Sequence, residues 1–368
     1  MSGELRTVQM QIAEIASRFQ MEGVFAGASS YGSGHINGTF RAAFLESGAH
    51  KEYILQRINR NVFKNPGALM RNIQRVTAHL AAKASGLPGS DRHVLMLIPA
   101  RDGQAFYIDP AGDWWRAYRF LENARTYDAA ESPEQAYQAA FAFGHFQQML
   151  VDLPAPRLED TIPDFHHTPK RLAALEMAIA ADAVNRVAQA REEIHFVLAR
   201  KELAGILLQA GLPERITHND TKFNNVMLDD TTGEGICVID LDTVMPGLAL
   251  YDFGDMVRTT TSPAQEDERD LARVTMRFPF FEALLRGYLA SAGGFLTTAE
   301  TQHLVCAGKV ITFEQAIRFL TDYLAGDVYY KVHRDGHNLD RCRTQLRLLE
   351  SIERQEPAME QLVRSLIA

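Results

Sequence analysis

Residues 217 to 225 read THNDTKFNN, a stretch that places a histidine, an aspartate, a lysine and an asparagine within a few positions of one another. Asp220 is followed five residues later by Asn225 and twenty residues later by Asp240, which lies at the end of the apolar run ICVIDLD. Moving a phosphoryl group is mostly a matter of positioning and charge neutralisation. It calls for a carboxylate beside the attacking hydroxyl and a hard oxygen site for a divalent cation. A loop aspartate, an asparagine five positions on and an aspartate beyond a hairpin supply that set. Asp220 is therefore expected to be the base, and Asn225 and Asp240 the Mg²⁺ ligands. Asp242 is read either as an auxiliary metal ligand, because alternation along a strand would turn it the same way as Asp240, or as simply the start of the next turn. Lys222 is placed to neutralise charge on the transferring phosphate, and its plain alternative is an exposed loop lysine. His218 reads as a brace for the loop backbone.

A second stretch suits phosphates. In SSYGSGHING, Gly32, Ser33 and Gly34 let the backbone approach an anion closely. His35 and Asn37 in the same loop are polar side chains able to reach the phosphates or the acceptor.

Elements that position these residues are visible in the periodicity. Residues 4–20 carry an amphipathic helical pattern, and residues 21–121 carry the β-like runs VFAGAS, GTFRAAFLE, KEYILQRI, HVLMLIP, QAFYID and WWRAYRFL around one helix, PGALMRNIQRVTAHLAAKA. The turn cluster PAGD predicts that QAFYID and WWRAYRFL pair as antiparallel neighbours. Beyond 121 the pattern is helical. Ser132-Pro133-Glu134-Gln135 predicts a capped helix start, Thr168-Pro169 predicts another, and two or three further helices are expected between about 266 and 367. A β-rich island at 215–242 interrupts this half, with a hairpin around DDTTGEG. The division expected is 1–121, a small β-rich lobe, and 122–368, a large α-rich one.

Asp252-Phe253-Gly254 spells a kinase metal tripeptide, yet no apolar strand run leads into it. Asp240 is the better ligand, and Asp252 and Asp255 read as helix caps or as hydrogen-bond partners of the loop around Asp220.

HNDTKFNNVMLD, VIDLDTVMPG and YDFGD together resemble the aminoglycoside phosphotransferase and choline kinase superfamily. YGSGHINGTF, YILQRIN and IRFLTDYLAGDVYYK are similar to its N-acetylhexosamine 1-kinase branch. The resemblance implies an α+β, protein-kinase-like bilobal fold that uses ATP and Mg²⁺ to phosphorylate a small hydroxyl compound. It implies that the glycine-rich loop covers the ATP phosphates and that backbone groups near Phe120 to Glu122 read the adenine edge. A lysine on the third strand and a glutamate on the following helix are also expected, but the sequence has Leu55-Gln56-Arg57 and a helix without glutamate. Arg57 is the nearest cation for the phosphates. If Gln56 faces inward instead, Arg57 turns away. Either Asn72 substitutes on the helix, or nothing does. For the acceptor, Arg318 and Asp322 lie four apart on one predicted helical face beside Phe319 and Tyr323, which suits a neutral sugar. A surface ion pair over core aromatics is the plain alternative.

Composition limits the partners. The 368 residues are 46% hydrophobic, and the formal charge of −8 comes with no basic cluster, which argues against nucleic acid. No long apolar run or secretory pattern appears, so a cytoplasmic location with no membrane partner is expected. Three cysteines without CxxC spacing read as structural. Three functions fit: a sugar 1-kinase, a kinase for a cationic acceptor such as an aminoglycoside or choline, and a catalytically inactive kinase-like binding module. The last is disfavoured because Asp220 and Asp240 are both present.

Overall fold

Alternating apolar residues between 24 and 57 build three consecutive antiparallel strands, β1 (Val24–Ser30), β2 (Gly38–Glu46) and β3 (Ala49–Arg57). The structure, a computed structural model, describes residues 3–32, 36–86 and 89–367. Ser47 and Gly48 close the β2–β3 hairpin with positive φ of 51° and 87°, the backbone a two-residue hairpin turn demands. β6 (Trp114–Arg119) pairs with β3 and also with two short strands, β4 (Leu97–Ile98) and β5 (Tyr107–Ile108). The β5–β6 turn forms where PAGD predicts it, held by Asp109, whose Oδ1 accepts from the amides of Ala111 and Asp113 at 2.9 Å each. HVLMLIP gives only a two-residue strand. Ser90–Arg92 just before it coils into a 3₁₀ turn, and Pro99 has no amide to continue a ladder.

Helix α1 (Gly3–Ser17) covers one face of this sheet. Ile12, Ile15 and Ala16 pack with Phe44, Tyr53, Leu55, Trp115 and Ala117 in a closed cluster. Because side chains alternate, Gln56 on β3 and Arg116 on β6 are turned to the opposite face, where they sit directly across from each other. Helix α2 (Pro66–Ala84) spans the predicted run, capped by the Asn65 side chain with Pro66 at the first position.

The chain forms two compact units. The first comprises Met1–Ala124, Asp152–Ile162 and Ile236–Met245. The second comprises Arg125–Val151, Pro163–Gly235 and Pro246–Ala368. The protein is thus an α+β chain with an antiparallel sheet in its N-terminal part and helices in its C-terminal part.

In the second unit, α3 (Pro133–Leu150) starts where expected, with Ser132 Oγ accepting from the Gln135 amide. The next helix, α4 (Thr168–Ala181), is capped one residue earlier than predicted. His167 Nδ1 accepts the Lys170 amide, while the Thr168 hydroxyl is spent on Glu314. Four helices rather than two or three follow residue 266: Phe278–Ala292, the short Thr298–Gln302, Leu304–Leu324 and His337–Ile367. The helix Ala249–Thr260 precedes them. It packs on Leu304–Leu324 so closely that a Cβ on Gly254 would lie 2.5 Å from the Ala307 carbonyl. Phe253 is fully buried against Phe281 and Tyr288. Phe253 and Gly254 of the Asp-Phe-Gly tripeptide therefore serve helix packing in this chain. No helix among the described residues is long and apolar enough to cross a membrane. The three cysteines are unbridged, and burial pushes the Cys237 thiol up to about 12.

Candidate active site

In the second unit, the strand Arg215–Thr217 delivers the chain into the loop 218–225. His218 is buried with its ring edge-on to Phe143, and its Nδ1 accepts the Asp220 amide at 3.3 Å, the bracing role expected of it. Asn219 adopts φ +64°, a conformation that costs free energy unless its surroundings impose it. They do so from several sides. Asp252 Oδ1 accepts the Asn219 amide at 2.7 Å, Asp252 Oδ2 accepts the His218 amide at 2.9 Å, and the Thr221 hydroxyl donates to the Asp252 carbonyl at 2.6 Å. Gln147 Nε2 adds a third donor to the same carboxylate at 2.7 Å. On the other side, His166 Nε2 lies 3.0 Å from the Asn219 carbonyl and His166 Nδ1 lies 2.8 Å from Glu314 Oε1.

The loop so fixed presents Asp220 half-buried. Lys222 Nζ stands 3.0 Å from its Oδ1, and Asn225 Nδ2 donates to its carbonyl at 2.8 Å and to its Oδ2 at 3.3 Å. Burial alone would raise the Asp220 pKa, but Lys222 outweighs it and the carboxyl is held below the ordinary range. The same attraction holds Lys222 above its own. Arg258, clamped by Asp255 at 2.8 Å and Glu266 at 3.2 Å, adds positive field at Asp220. An anionic group approaching Asp220 thus meets Lys222 first. Asn225 spends its amide nitrogen on Asp220, which leaves Oδ1, a hard oxygen, as the atom able to face a cation.

The strand Gly235–Val238, which enters the first unit at Ile236, ends before Asp240, so the alternation argument for Asp242 fails. Asp240 is exposed, with φ +59° and ψ +57°, and it begins a 3₁₀ turn over Leu241–Thr243. That turn sends Asp242 inward. Asp242 is buried, with Oδ1 2.5 Å from Arg116 Nη1 and Oδ2 accepting from Asn37 Nδ2 at 2.7 Å. It is a counter-ion, with Oδ2 held by Asn37 and Oδ1 in an ion pair with Arg116 that lacks hydrogen-bond alignment, rather than an auxiliary metal ligand. Burial works against the Arg116 charge, but Asp242 more than offsets it and the guanidinium sits above its ordinary value.

Asn37, expected to reach the phosphates or the acceptor, is instead pinned between Asp242 and the Asn59 amide, which it accepts at 2.9 Å. Gln56 faces Arg116 and accepts its Nε at 2.9 Å, while Arg57 points to the opposite face, 3.4 Å from Asp113. There Arg57 lines a polar cleft of about 730 Å³ with Asn59, Arg60 and Lys64. The expectation that Arg57 holds phosphates is corrected by strand alternation. Asn72 does not replace the helix glutamate either, since its amide is bonded to Glu159 and to the Val244 carbonyl. Gly32 has φ +81°, the backbone freedom expected of the loop. Ser33, Gly34 and His35 lie outside the described residues. At the adenine-reading stretch, the Phe120 amide already donates to the Glu52 carbonyl and cannot also serve a base. The Glu122 carbonyl accepts from Arg92 and keeps a second lone pair.

Arg318 and Asp322 share a helix but not a task. Asp322 is buried and accepts the amides of Val328, Tyr329 and Tyr330 together with Asn338 Nδ2, so it braces the loop after the helix and is not open to an acceptor. Arg318 is half-buried, with its guanidinium over the Phe165 ring at 5.1 Å and the Tyr330 ring at 5.8 Å, and it donates to Gln315 at 3.2 Å. Sequence reasoning missed His166, Glu314, Gln147 and Arg116. A signal existed for two of them: Glu314 interrupts the apolar run VITFEQAI, and Arg116 interrupts WWRAYRF.

Residues 30–295 match the APH phosphotransferase enzyme family. Among solved structures, an aminoglycoside phosphotransferase from Alicyclobacillus acidocaldarius superposes with a TM-score of 0.62 at 12% identity, covering 96% of both chains. A microcompartment-associated aminopropanol kinase gives 0.58 at 15% identity, with 95% of this chain and 98% of that one covered. A spectinomycin phosphotransferase solved with ADP and spectinomycin gives 0.58 at 13% identity over 96% and 98%. At these identities the likeness is one of fold.

Proposed function

Because the chain belongs to the APH phosphotransferase enzyme family, we propose that it transfers the γ-phosphoryl group of ATP to the anomeric hydroxyl of an N-acetylhexosamine, giving the sugar 1-phosphate. The observation that carries the reaction class is the loop around Asp220: a half-buried carboxylate held beside a cation and an oriented amide by several buried hydrogen bonds. Asp220 aligns the acceptor hydroxyl and takes its proton as the oxygen–phosphorus bond forms and the bond to ADP breaks. Lys222 offsets negative charge on the group in transit. Asn225 Oδ1 in the second unit and the Asp240 carboxylate in the first are each suited to ligate Mg²⁺, which when bound neutralises the nucleotide phosphates. With its pKa held low by Lys222, Asp220 is a weak base, and the sugar hydroxyl that asks least of a base is the anomeric one, the most acidic.

Arg318 supports a neutral acceptor. A half-buried guanidinium over the Phe165 and Tyr330 rings, with Arg171 and Arg258 adding field of the same sign and Glu314 field of the opposite sign, offers donors to sugar and acetamido oxygens and sets a cation where an ammonium group would have to approach. The competing reading, a cationic acceptor, draws on the fold neighbours that act on aminopropanol and spectinomycin. The test is ATP consumption with N-acetylglucosamine, N-acetylgalactosamine, their 1-O-methyl glycosides, choline and an aminoglycoside. Turnover with the free sugars and none with the glycosides is expected. Comparable turnover of a glycoside would move the reaction to another hydroxyl, and turnover of choline or the aminoglycoside alone would replace the sugar reading.

A further inference from the structure

The first unit lacks the strand lysine and helix glutamate that a kinase of this fold is expected to carry. At the inward-facing position of β3 stands Gln56, a neutral side chain, directly across from Arg116 on β6 and from Thr39 on β2. These three share one face of the sheet and are linked. Gln56 Nε2 donates to Thr39 Oγ1 at 3.0 Å, and Gln56 Oε1 accepts from Arg116 Nε at 2.9 Å. Arg116, 1% exposed, reaches Asp242, and Asp242 reaches Asn37, at the exit of the glycine-rich loop, which in turn holds the Asn59 amide just beyond β3. From the other side, Asn72 on α2 donates to the carbonyl of Val244, which ends the same turn.

The fate of the missing lysine follows from charge. Asp242 balances one buried cation. A lysine at position 56 would set a second cation directly across from the Arg116 guanidinium, whose buried carboxylate, Asp242, is already shared with Asn37, and the two like charges would repel at a half-buried site. The cation has instead moved one strand over, to β6, and its carboxylate comes from the turn that carries Asp240. A buried ion pair adds little net stability compared with apolar residues of similar size, and its best-supported role is to impose one arrangement.

We propose that Arg116, paired with Asp242 and bracketed by Gln56 and Asn37, is the positioning residue that fixes the Asp240 turn and the exit of the glycine-rich loop for nucleotide, in place of the strand-lysine and helix-glutamate pair. This rests on the nucleotide-binding reading given above. Arg116 does not touch the nucleotide; it acts through Asp242, two residues from Asp240.

The experiment measures ADP affinity by calorimetry with and without Mg²⁺, alongside thermal unfolding without ligand, for Arg116→Met/Asp242→Leu, Asn37→Ala and Gln56→Lys. The double variant should melt within a few degrees of the parent yet lose ~10-fold or more of its Mg²⁺-dependent ADP affinity. Asn37→Ala cuts the network at its half-exposed end. It should leave melting unchanged and weaken Mg²⁺·ADP several-fold, which keeps the proposal testable should the double variant fail to fold. Gln56→Lys should lower the melting temperature without tightening ADP. Parent-like Mg²⁺·ADP affinity in the folded double variant or in Asn37→Ala, or tighter binding in Gln56→Lys, overturns the proposal. A parent protein that binds no Mg²⁺·ADP overturns the nucleotide reading itself.

Discussion

Replacing Asp252 with asparagine separates two roles that the sequence leaves in competition, metal ligand and brace of the loop around Asp220. The Asp252 carboxylate accepts two loop amides and Gln147 Nε2, all buried. An asparagine of the same shape can keep its oxygen where two donors converge, at Oδ2, but its amide nitrogen then faces the Asn219 N–H, donor against donor. Losing a hydrogen bond to a charged acceptor and leaving a buried N–H unsatisfied costs roughly 2–4 kcal/mol. Part of that is returned, because burial holds the Asp252 carboxyl above the usual range and the native protein bears that cost of ionising it. A net loss of about 2 kcal/mol corresponds to a fall in Tm of roughly 4–8 °C for a unit of this size. The loop loses its imposed geometry at Asn219, so kcat should fall by ~10-fold or more, while ADP affinity in Mg²⁺ stays within about twofold. Calorimetry for binding, scanning calorimetry for melting and a coupled ATP assay measure the three quantities. Unchanged melting together with collapse of Mg²⁺-dependent ADP binding would refute the brace and make Asp252 the metal ligand.

Three other outcomes are expected. Asp220→Ala should lower kcat by at least ~100-fold with ADP affinity intact, as read by single-turnover kinetics and calorimetry, and in the parent the lowered Asp220 pKa should keep kcat from falling on the acid side until the pH is below the ordinary carboxylate range. Arg57→Ala should leave the KM for ATP unchanged, because the side chain faces the cleft on the other side of β3. His166→Gln should reduce Tm most near pH 6, with the deficit shrinking as pH rises. Although burial alone would lower its pKa, the facing groups Glu314, Asp255 and the Asn219 carbonyl raise it, so its contribution is complete below the ordinary histidine value of ~6.5 and is lost as pH climbs through the raised one. A deficit that grows with pH would mean that the ring is neutral in the native protein.

What was legible in the sequence was whatever is encoded within a few residues. HNDTKFNN fixes the order and spacing of Asp220, Lys222 and Asn225, and a short loop leaves those side chains no way to avoid one another. The β5–β6 hairpin was legible for the same reason, since its turn carries its own chemistry in Asp109. Errors arose where a local rule was extended past the element that enforces it. Alternation along VIDLD assumes a strand, but Asp240 takes φ +59° and the chain coils, so Asp242 turns inward. Spacing of four on a helix puts Arg318 and Asp322 on one face, yet three loop amides beyond the helix end claim the aspartate.

Partners distant in sequence account for the rest, and they share one physical signature. Arg116, Glu314 and Asp252 are charged residues inside apolar runs, and each is buried. Burying an isolated charge costs so much that such a residue implies an opposite charge or several hydrogen-bond donors elsewhere in the chain, even when nothing nearby supplies them. Arg116 finds its carboxylate at Asp242, Glu314 its donors at His166 and Thr168, and Asp252 its donors at His218, Asn219 and Gln147. A charge that breaks an apolar pattern therefore announces that a partner exists without giving its address. In this chain the addresses converge on two of the stretches whose backbones are held at positive φ, Asn219 beside Asp220 and Asp240 itself. Strained backbone persists only where its surroundings over-determine it, so these buried charges lie where the chemistry requires the chain to be held.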